Sequence, residues 1–186
     1  LNDHKKVKDA YLASKSVVIE TEIDSSKMMA VAMKGMMLGK SLEKLMDSAD
    51  YALVKSELEP SLGMDLSQLD QFKLIFVSIL YSMTLAQKYT PKEMTYEGMP
   101  IDQYFAYNGR KLKKQINSLE TPLEQAEILF NSQTIEEQIE DLVELAKDKD
   151  EVVAMTKMVI QSYIDEDLKT MYEESQKMEE ASGDLE

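Results

Sequence analysis

The central stretch from Leu66 to Lys88 constrains the fold of this chain more than any other segment. Between Leu74 and Tyr81 it reads Leu-Ile-Phe-Val-Ser-Ile-Leu-Tyr, which is apolar on nearly every side of a helix. A helix that is apolar all round is surrounded by other elements of the fold. The same run is too short to cross a membrane. We therefore expect a buried central helix in a multi-helix domain, and no membrane span.

Cap signals and apolar spacing together predict a series of helices in the last third of the chain. The spacing of a capping box occurs twice, in Thr121-Pro-Leu-Glu124 and in Thr134-Ile-Glu-Glu137. In a capping box, the Thr and Glu side chains bind N–H groups that the first turn leaves unpaired. Apolar residues then recur at three- and four-residue steps. These signals predict helices near residues 122–131, 134–147, 149–165 and 167–180.

Two short segments have the residue types of strands instead. Ser16 to Ile23 contains three successive β-branched residues followed by alternation, and Ile116 to Leu119 is a second, brief extended segment. The fold class that follows is mainly α (α+β), a multi-helix domain with one or two short β-strands. The remaining periodic segments predict short helices near residues 2–13, 27–37, 41–47, 49–58 and 101–114, with breaks at Pro60 and Gly63.

The size and composition of the chain are those of one domain. With 186 residues, of which 44% are hydrophobic, the chain can fill a single core. We expect residues 1–186 to form one domain that ends in a frayed tail at 179–186. The absence of cysteine excludes disulfide scaffolds, thiolate metal sites and cysteine nucleophiles. The sequence leaves the cellular compartment open.

Charge is distributed unevenly along the chain. The net charge is −14, yet residues 1–119 carry 16 Lys and Arg against 15 Asp and Glu, whereas residues 120–186 carry 5 against 20. The acidic excess thus lies in the last third. Nucleic-acid binding needs clustered cations that displace counterions from phosphates, and anionic lipid attracts basic segments. We therefore expect neither nucleic acid nor an anionic membrane surface as a partner.

Familiar catalytic motifs are absent from the sequence. His4 is the only histidine and lies in a polar terminal helix, which argues against histidine triads and zinc motifs within this chain. Ser41-Leu-Glu-Lys44 fits the S-x-x-K nucleophile pattern, but the companion motifs of penicillin-binding enzymes are missing. Ser41 is better interpreted as a helix cap.

Four methionines form one stripe of the helix predicted at 27–37. Among the 14 methionines, Met29, Met33, Met36 and Met37 are spaced at i, i+4, i+7 and i+8. Stripes of this period usually face a core, and flexible thioethers fill irregular cores well. The alternative is a ligand-binding groove that Met29, Met33 and Met36 form against the central helix.

Acidic side chains collect where the predicted strands end. Glu20 and Glu22 are two residues apart, so both project from one face of the first strand, and Asp24 follows. Glu120 comes directly after the second strand. Sites in α/β sheets form at the carboxyl ends of the strands. Acids at strand ends are also often helix caps or simply solvated, so both interpretations stay open on the residues alone.

Several segments resemble the TraB/PrgY/GumN family, to which the animal Tiki proteins are related. The strand Val17-Val-Ile-Glu-Thr-Glu-Ile-Asp24 is similar to an apolar family strand that ends in Glu-x-Asp. Ile116-Asn-Ser-Leu-Glu-Thr121 with Glu124-Gln125 resembles the family's GLET-x-x-EQ segment, although Ser118 replaces its glycine. Further similarity lies in residues 36–45, 62–65 and 101–104 and in the central helix that contains Lys73, so that the resemblance spans most of residues 10–172.

The resemblance implies a metal-dependent hydrolase fold whose active site uses two G-x-x-H motifs and a strand glutamate. By register, Glu22 matches the strand glutamate and Glu120 the glutamate of the GLET segment. The resemblance thus makes Glu22 and Glu120 candidate catalytic residues, and Glu22 a candidate metal ligand. Neither G-x-x-H motif occurs in the sequence. We therefore expect this chain to be the central helical part of such a domain, inactive and without a cofactor. In the intact parent protein, we expect a divalent metal.

Three alternative functions follow as expectations. The intact parent would be a metal-dependent hydrolase or peptidase, and a secreted or periplasmic location would suit it. Alternatively, the chain is a helical binding module that sequesters a peptide or a small apolar ligand in the methionine groove, since PrgY-like family members blunt peptide pheromones. The third alternative is a helical domain without an assignable function.

Self-association is a further expectation from the predicted strands. A parallel strand is normally covered by neighbours on both sides, and this sequence supplies at most one partner for the strand at 16–23. Unpaired strand edges invite pairing with another copy of the chain. We therefore expect a homodimer through the strand edges.

Overall fold

The computed structural model describes residues 4–22, 26–95 and 98–182, with side chains through Lys177. Within these residues the chain is mainly helical, as predicted, and its two strands form one small sheet. The strands are β1 (Ser16–Thr21) and β2 (Gln115–Glu120), and short 3₁₀ helices span Leu66–Leu69 and Lys92–Met94. The α-helices are α1 (Lys5–Ala13), α2 (Met28–Lys34), α3 (Leu42–Leu45), α4 (Ser48–Leu62), α5 (Leu74–Tyr89), α6 (Ile101–Lys111), α7 (Pro122–Asn131), α8 (Ile135–Lys147), α9 (Lys149–Ile164) and α10 (Leu168–Ser182).

The chain divides into two compact units. The first unit consists of Leu1–Gly35 and Tyr96–Ser132, and the second of Met36–Thr95 and Gln133–Glu186. Both strands therefore belong to the first unit, with α1, α2, α6 and α7, and the other helices belong to the second. The expectation that residues 1–186 act as one domain stays a prediction. In the segment 179–186, the backbone helix reaches Ser182 and the remaining residues lie outside the described part.

The sheet of the first unit is a parallel pair in the register Val17↔Ile116 and Thr21↔Glu120. Helix α6 packs on both strands and precedes β2 directly, while α2 packs on α7. Gly109 allows α6 to approach the sheet closely, because a Cβ atom there would lie 2.8 Å from Ile116 Cδ1 and 3.2 Å from Val17 Cγ2. One face of the sheet is thus covered by α6.

The core of the second unit forms around α5, as its apolar central segment predicts. Helices α4, α8 and α9 pack against α5. Full burial of a large apolar side chain contributes about 1.5–3 kcal/mol relative to exposure, so this cluster stabilises the unit. None of the helices in the described part of the chain has the length and apolarity needed to cross a membrane. The fully buried side chains include Leu42, Val54, Leu58, Leu66, Leu74, Val77, Tyr81 and Leu142.

The central element is not the single helix expected over 66–88. A 3₁₀ turn covers Leu66–Leu69, and α5 begins only at Leu74. Between them, Phe72 pairs with Met36 in an isolated antiparallel bridge, and the N–H of Met37 donates to the carbonyl oxygen of Gln71 at 2.7 Å. Because this extended segment pairs with another part of the chain, it cannot keep helical hydrogen bonds, and the helix is interrupted.

Two helix ends also differ from the prediction. Helix α4 continues through Pro60 to Leu62 and ends at Gly63, whose φ of 68° is the left-handed conformation that favours glycine. Helix α2 ends at Lys34 and not at Met37, because Met36 and Met37 form the extended pairing beyond it. The expected methionine stripe is therefore divided between a helix and an extended segment.

Both predicted capping boxes are confirmed. The Thr121 hydroxyl accepts a hydrogen bond from the N–H of Glu124 at 3.2 Å, and Glu124 Oε2 accepts one from the N–H of Thr121 at 2.8 Å. Thr134 and Glu137 form the same reciprocal pair. Because the backbone N–H groups donate to ionised carboxylates, they lower the pKa of both Glu124 and Glu137.

Candidate functional site

The carboxyl ends of β1 and β2 bring candidate carboxylates to one edge of the sheet. Thr21 is in register with Glu120, and Glu22 follows Thr21 directly. Paired residues of neighbouring strands point to the same face, and successive residues point to opposite faces. Thr21 and Glu120 therefore share the face covered by α6, while Glu20 projects from the other face. The structure thus places Glu22 and Glu120 at the same edge.

The two carboxylates of β1 are held by different helices. Glu22 accepts a hydrogen bond from Arg110 Nη2 of α6 in an ion pair whose side chains are 48% and 47% exposed. Glu20 Oε1 accepts a hydrogen bond from Gln125 Nε2 of α7 at 2.6 Å. These partners are 88 and 105 positions away, so the sequence contained no local signal for either contact. The contacts fix the orientation of both carboxylates.

A buried hydroxyl lies at the same edge. Thr21 Oγ1 is inaccessible to solvent and has no hydrogen-bond partner among the described residues. Buried polar atoms in folded proteins are normally satisfied. The Thr21 hydroxyl, beside Glu22 and Glu120, is an exception among the described residues.

The residues at this edge do not fit a complete metal centre by themselves. Within the described ranges, no three or more His, Asp or Glu side chains are placed together to hold a metal ion. Glu22 is also engaged by a guanidinium group, which competes with a cation for the carboxylate. Asp24, the third acid of the strand end, lies outside the described residues. The assignment of Glu22 and Glu120 as catalytic residues, and of Glu22 as a metal ligand, stays a prediction.

The methionines predicted to bind a ligand are not buried together. Met29 and Met33 lie on α2 of the first unit, where their side chains are 75% and 45% exposed. Met36 belongs to the second unit and is half-buried at its bridge with Phe72. The helix that packs on α2 is α7, which the period of α2 alone could not indicate. A role of Met29, Met33 and Met36 in ligand binding stays a prediction.

An apolar cavity of the first unit lies between α1 and α6, and sequence reasoning missed it. Its volume is about 290 Å³. The apolar side of α1, with Val7 and Tyr11, is the only sequence signal that could have pointed to it. The apolar residues that line it include Val7, Leu12, Phe105 and Leu112.

Tyr11 fixes α1 on α6 beside this cavity. Its hydroxyl donates to the carbonyl oxygen of Phe105 at 2.9 Å, and the centroids of the two rings are 5.0 Å apart. Burial, and secondly the neighbouring Tyr104, raise the pKa of Tyr11. The phenol therefore stays protonated and keeps its donor hydrogen at neutral pH. The contact joins α1 to α6 at one wall of the cavity.

Comparison with protein families covers the whole chain. The model of the TraB/PrgY/gumN family matches residues 1–186. No curated protein and no solved structure matches the chain. The match includes both compact units, and with them the segments 17–24 and 116–125 that resemble family motifs. This chain belongs to the TraB/PrgY/gumN family.

Proposed function

We propose that this family member is a ligand-binding module that holds a peptide or a small apolar ligand. The observation that carries the proposal is the apolar cavity of about 290 Å³ between α1 and α6. Ligand sites are concave and mostly apolar, contain a few polar groups that orient the ligand, and start at volumes of about 300 Å³. The cavity has this character and lies close to that volume.

The charged groups at the cavity favour a ligand with an acidic end. Lys8 and Lys111 line the cavity beside its apolar walls, and no acidic residue appears among the described residues that line it. Lysine stems can cover apolar surface while their ammonium groups stay in water. An apolar body would occupy the cavity, and a carboxylate, such as the carboxyl terminus of a peptide, would pair with Lys8 or Lys111.

A cavity-filling substitution tests this proposal. Leu112→Trp enlarges a side chain that lines the cavity, and Ile128→Trp adds the same ring at a site on α7 that is 64% exposed. The probe is an N-acetylated tetrapeptide of leucine with a free carboxyl terminus, and calorimetry measures its binding. We expect Leu112→Trp to weaken binding about tenfold or more and Ile128→Trp to leave it unchanged. Equal binding by the two variants would reject the cavity as the site.

The exposed methionines offer an alternative surface for the same kind of ligand. Met29 and Met33 are accessible on α2. If they bind the tetrapeptide, replacing both with glutamate should abolish binding, whereas Leu112→Trp should not affect it. The two substitutions therefore distinguish the methionine surface from the cavity.

A second proposal is that the intact parent is a metal-dependent hydrolase or peptidase. The shared sheet edge of Glu22, Glu120 and the buried Thr21 hydroxyl supports it. The test is the divalent metal content of the complete gene product, measured by mass spectrometry. We expect Glu22→Gln to abolish metal uptake and Glu20→Gln, whose carboxylate is held by Gln125 of α7, to leave it unchanged. An unchanged metal content in Glu22→Gln would remove this residue from the site.

We also propose that the chain forms a homodimer through its sheet edges. In the described part of the chain, β1 and β2 pair only with each other, so each strand has one edge without a strand partner. Such edges present unpaired N–H and C=O groups to another copy.

A further inference from the structure

The second unit carries a groove lined by α5, α8 and α9. Its volume is about 580 Å³. Ala86 of α5 lines it, together with the apolar side chains of Leu145, Val152, Met155, Val159 and Ile160. The groove is independent of the α1–α6 cavity, because all of its lining residues belong to the second unit.

Exposed apolar side chains extend this groove along α9. Val152, Met155 and Val159 follow one another at helical spacing, and Tyr163 continues the same side one turn further. Val159 and Tyr163 are 38% and 67% exposed. At 1.5 Å per residue, the stripe from Val152 to Tyr163 is roughly 17 Å long, or about three helical turns. This length suits a helix laid along the groove.

One end of the groove is strongly acidic. Glu144 and Asp148, at the carboxyl end of α8, and Glu151, in the first turn of α9, all line it. Glu151 and Asp148, the N-cap residue of α9, are favoured by the amino-terminal dipole of that helix, but Glu144 lies where the dipole of α8 is already negative. Glu144 therefore lowers the stability of α8, and a cation bound at this end would offset that cost.

The lysines nearest in sequence do not fully neutralise the acidic end. Lys149 donates a hydrogen bond to Glu57 of α4 at 2.8 Å, and Lys157 lies 4.5 Å from the centroid of the Tyr89 ring. Lys147, in the last turn of α8, offsets part of the charge. A net negative charge remains at one end of an apolar groove.

We propose that this groove docks a basic amphipathic helix of a partner protein. Its apolar residues, at i, i+3 or i+4 and i+7, would contact Met155 and Val159, and its Lys or Arg residues would lie over Glu144, Asp148 and Glu151. Amphipathic helices bind apolar grooves in this way. The flexible thioether of Met155 adapts to different apolar partners, and the acidic last third of the chain attracts a cationic segment over long range.

The test uses a fluorescent peptide of lysine and leucine, blocked at both ends and about 14 residues long, or roughly four helical turns. Its leucines fall on one face, and a scrambled peptide of the same composition serves as the peptide control. Fluorescence anisotropy measures the dissociation constants. We expect Val159→Glu, at a partly exposed site, and the double variant Glu144→Gln/Glu151→Gln each to weaken binding about tenfold or more.

The matched control removes the same charge from the same unit outside the groove. Glu136→Gln/Glu140→Gln changes two exposed acids of α8 that do not line the groove, and it should weaken binding less than about threefold. Equal affinity for the scrambled peptide, or an equal loss in the control variant, would show charge attraction alone and would overturn the proposal. Light scattering that shows a dimer dissociated by Val159→Glu would assign the groove to a second copy and would also overturn it. Circular dichroism checks that each variant is folded.

Discussion

The side-chain oxygen of Gln138 on α8 accepts a hydrogen bond at 3.2 Å from the backbone N–H of Ile75, in the first turn of α5. Gln138 Nε2 in turn donates to the carbonyl oxygen of Gln133 at 3.2 Å, and the residue is only 2% exposed. The N-cap residue of α5 is Lys73, whose side chain has no acceptor atom. A buried glutamine of another helix therefore satisfies an N–H group that α5 cannot satisfy itself.

Gln138→Leu should destabilise the second unit. The substitution keeps the size of the side chain but leaves the part-buried N–H of Ile75 without this acceptor, at a cost of about 1–3 kcal/mol. Urea unfolding followed by circular dichroism measures the change. The control is Gln161→Leu, which removes an exposed hydrogen bond to Asp165 and should change the free energy of unfolding by less than about 0.5 kcal/mol. Similar values for the two variants would contradict a capping role of Gln138.

Local signals in the sequence predicted the secondary structure better than they predicted the contacts between elements. The capping boxes at Thr121 and Thr134 were predictable because both partners of each lie within one turn. The contact between Gln138 and Ile75 joins residues 63 positions apart. In the sequence alone, nothing distinguishes Gln138 from an ordinary polar residue of α8. The interruption at Phe72 was missed for the same reason, since its cause is the pairing with Met36.

The candidate site shows the same limit. Carboxylates at the ends of two strands predicted a shared edge, and the parallel register of Thr21 with Glu120 places them there. The ion pair of Glu22 with Arg110 could not be predicted, because no periodicity indicates which helix covers a sheet. The α1–α6 cavity likewise depends on the contact of Tyr11 with Phe105, which are 94 positions apart.

The capping-box glutamates should make stability depend on acid pH. Their pKa is lowered in the folded chain by the N–H groups of Thr121 and Thr134. Their contribution is therefore fully present above the ordinary pKa of glutamate and is lost as the pH falls through the lowered folded-state pKa. Glu124→Gln/Glu137→Gln retains an acceptor in each box but does not titrate, so we expect it to be less stable than the wild type at pH 7.

Thermal unfolding at a series of pH values measures this difference. The gap between the wild type and the double variant should close as the pH falls below the ordinary pKa of glutamate. The control is Glu136→Gln/Glu140→Gln, which removes the same two negative charges outside the capping boxes. It measures how much stability changes merely because the charge repulsion within a protein of net charge −14 is reduced. A gap that stays constant with pH would contradict the assignment.

Gly109 should tolerate alanine but not valine. The Cβ of alanine would meet the flexible end of Ile116 at 2.8 Å, and this strain is offset by a gain in helix propensity of about 1 kcal/mol. Valine adds two methyl groups between α6 and the sheet, so we expect a loss of about 1–3 kcal/mol. Urea unfolding of the two variants measures the difference. A valine variant as stable as the alanine variant would show that α6 can move away from β1 and β2 at little cost.

The ion pair of Glu22 with Arg110 should contribute little to stability. Both side chains are about half exposed, and exposed pairs contribute at most about 1 kcal/mol. A double-mutant cycle with Glu22→Gln and Arg110→Met measures the coupling energy. A coupling well above that value would make the pair a structural element of the fold. If the coupling energy is small, the main effect of the ion pair is to orient the Glu22 carboxylate at the sheet edge.

Charged residues on the uncovered face of the sheet should prevent self-association. Val18 and Leu119 project from the face opposite α6 and are 57% and 74% exposed. Lysine on an edge strand opposes pairing with another strand, so Val18→Lys and Leu119→Lys should each shift a dimer towards monomer in light scattering at high concentration. Ile128→Lys, on α7 at 64% exposure, removes an apolar side chain of the same unit outside the two strands and should leave the dimer intact. Because the free strand edges are the physical basis of the expected dimer, a strictly monomeric wild type, or a dimer that all three variants weaken equally, would contradict pairing through β1 and β2.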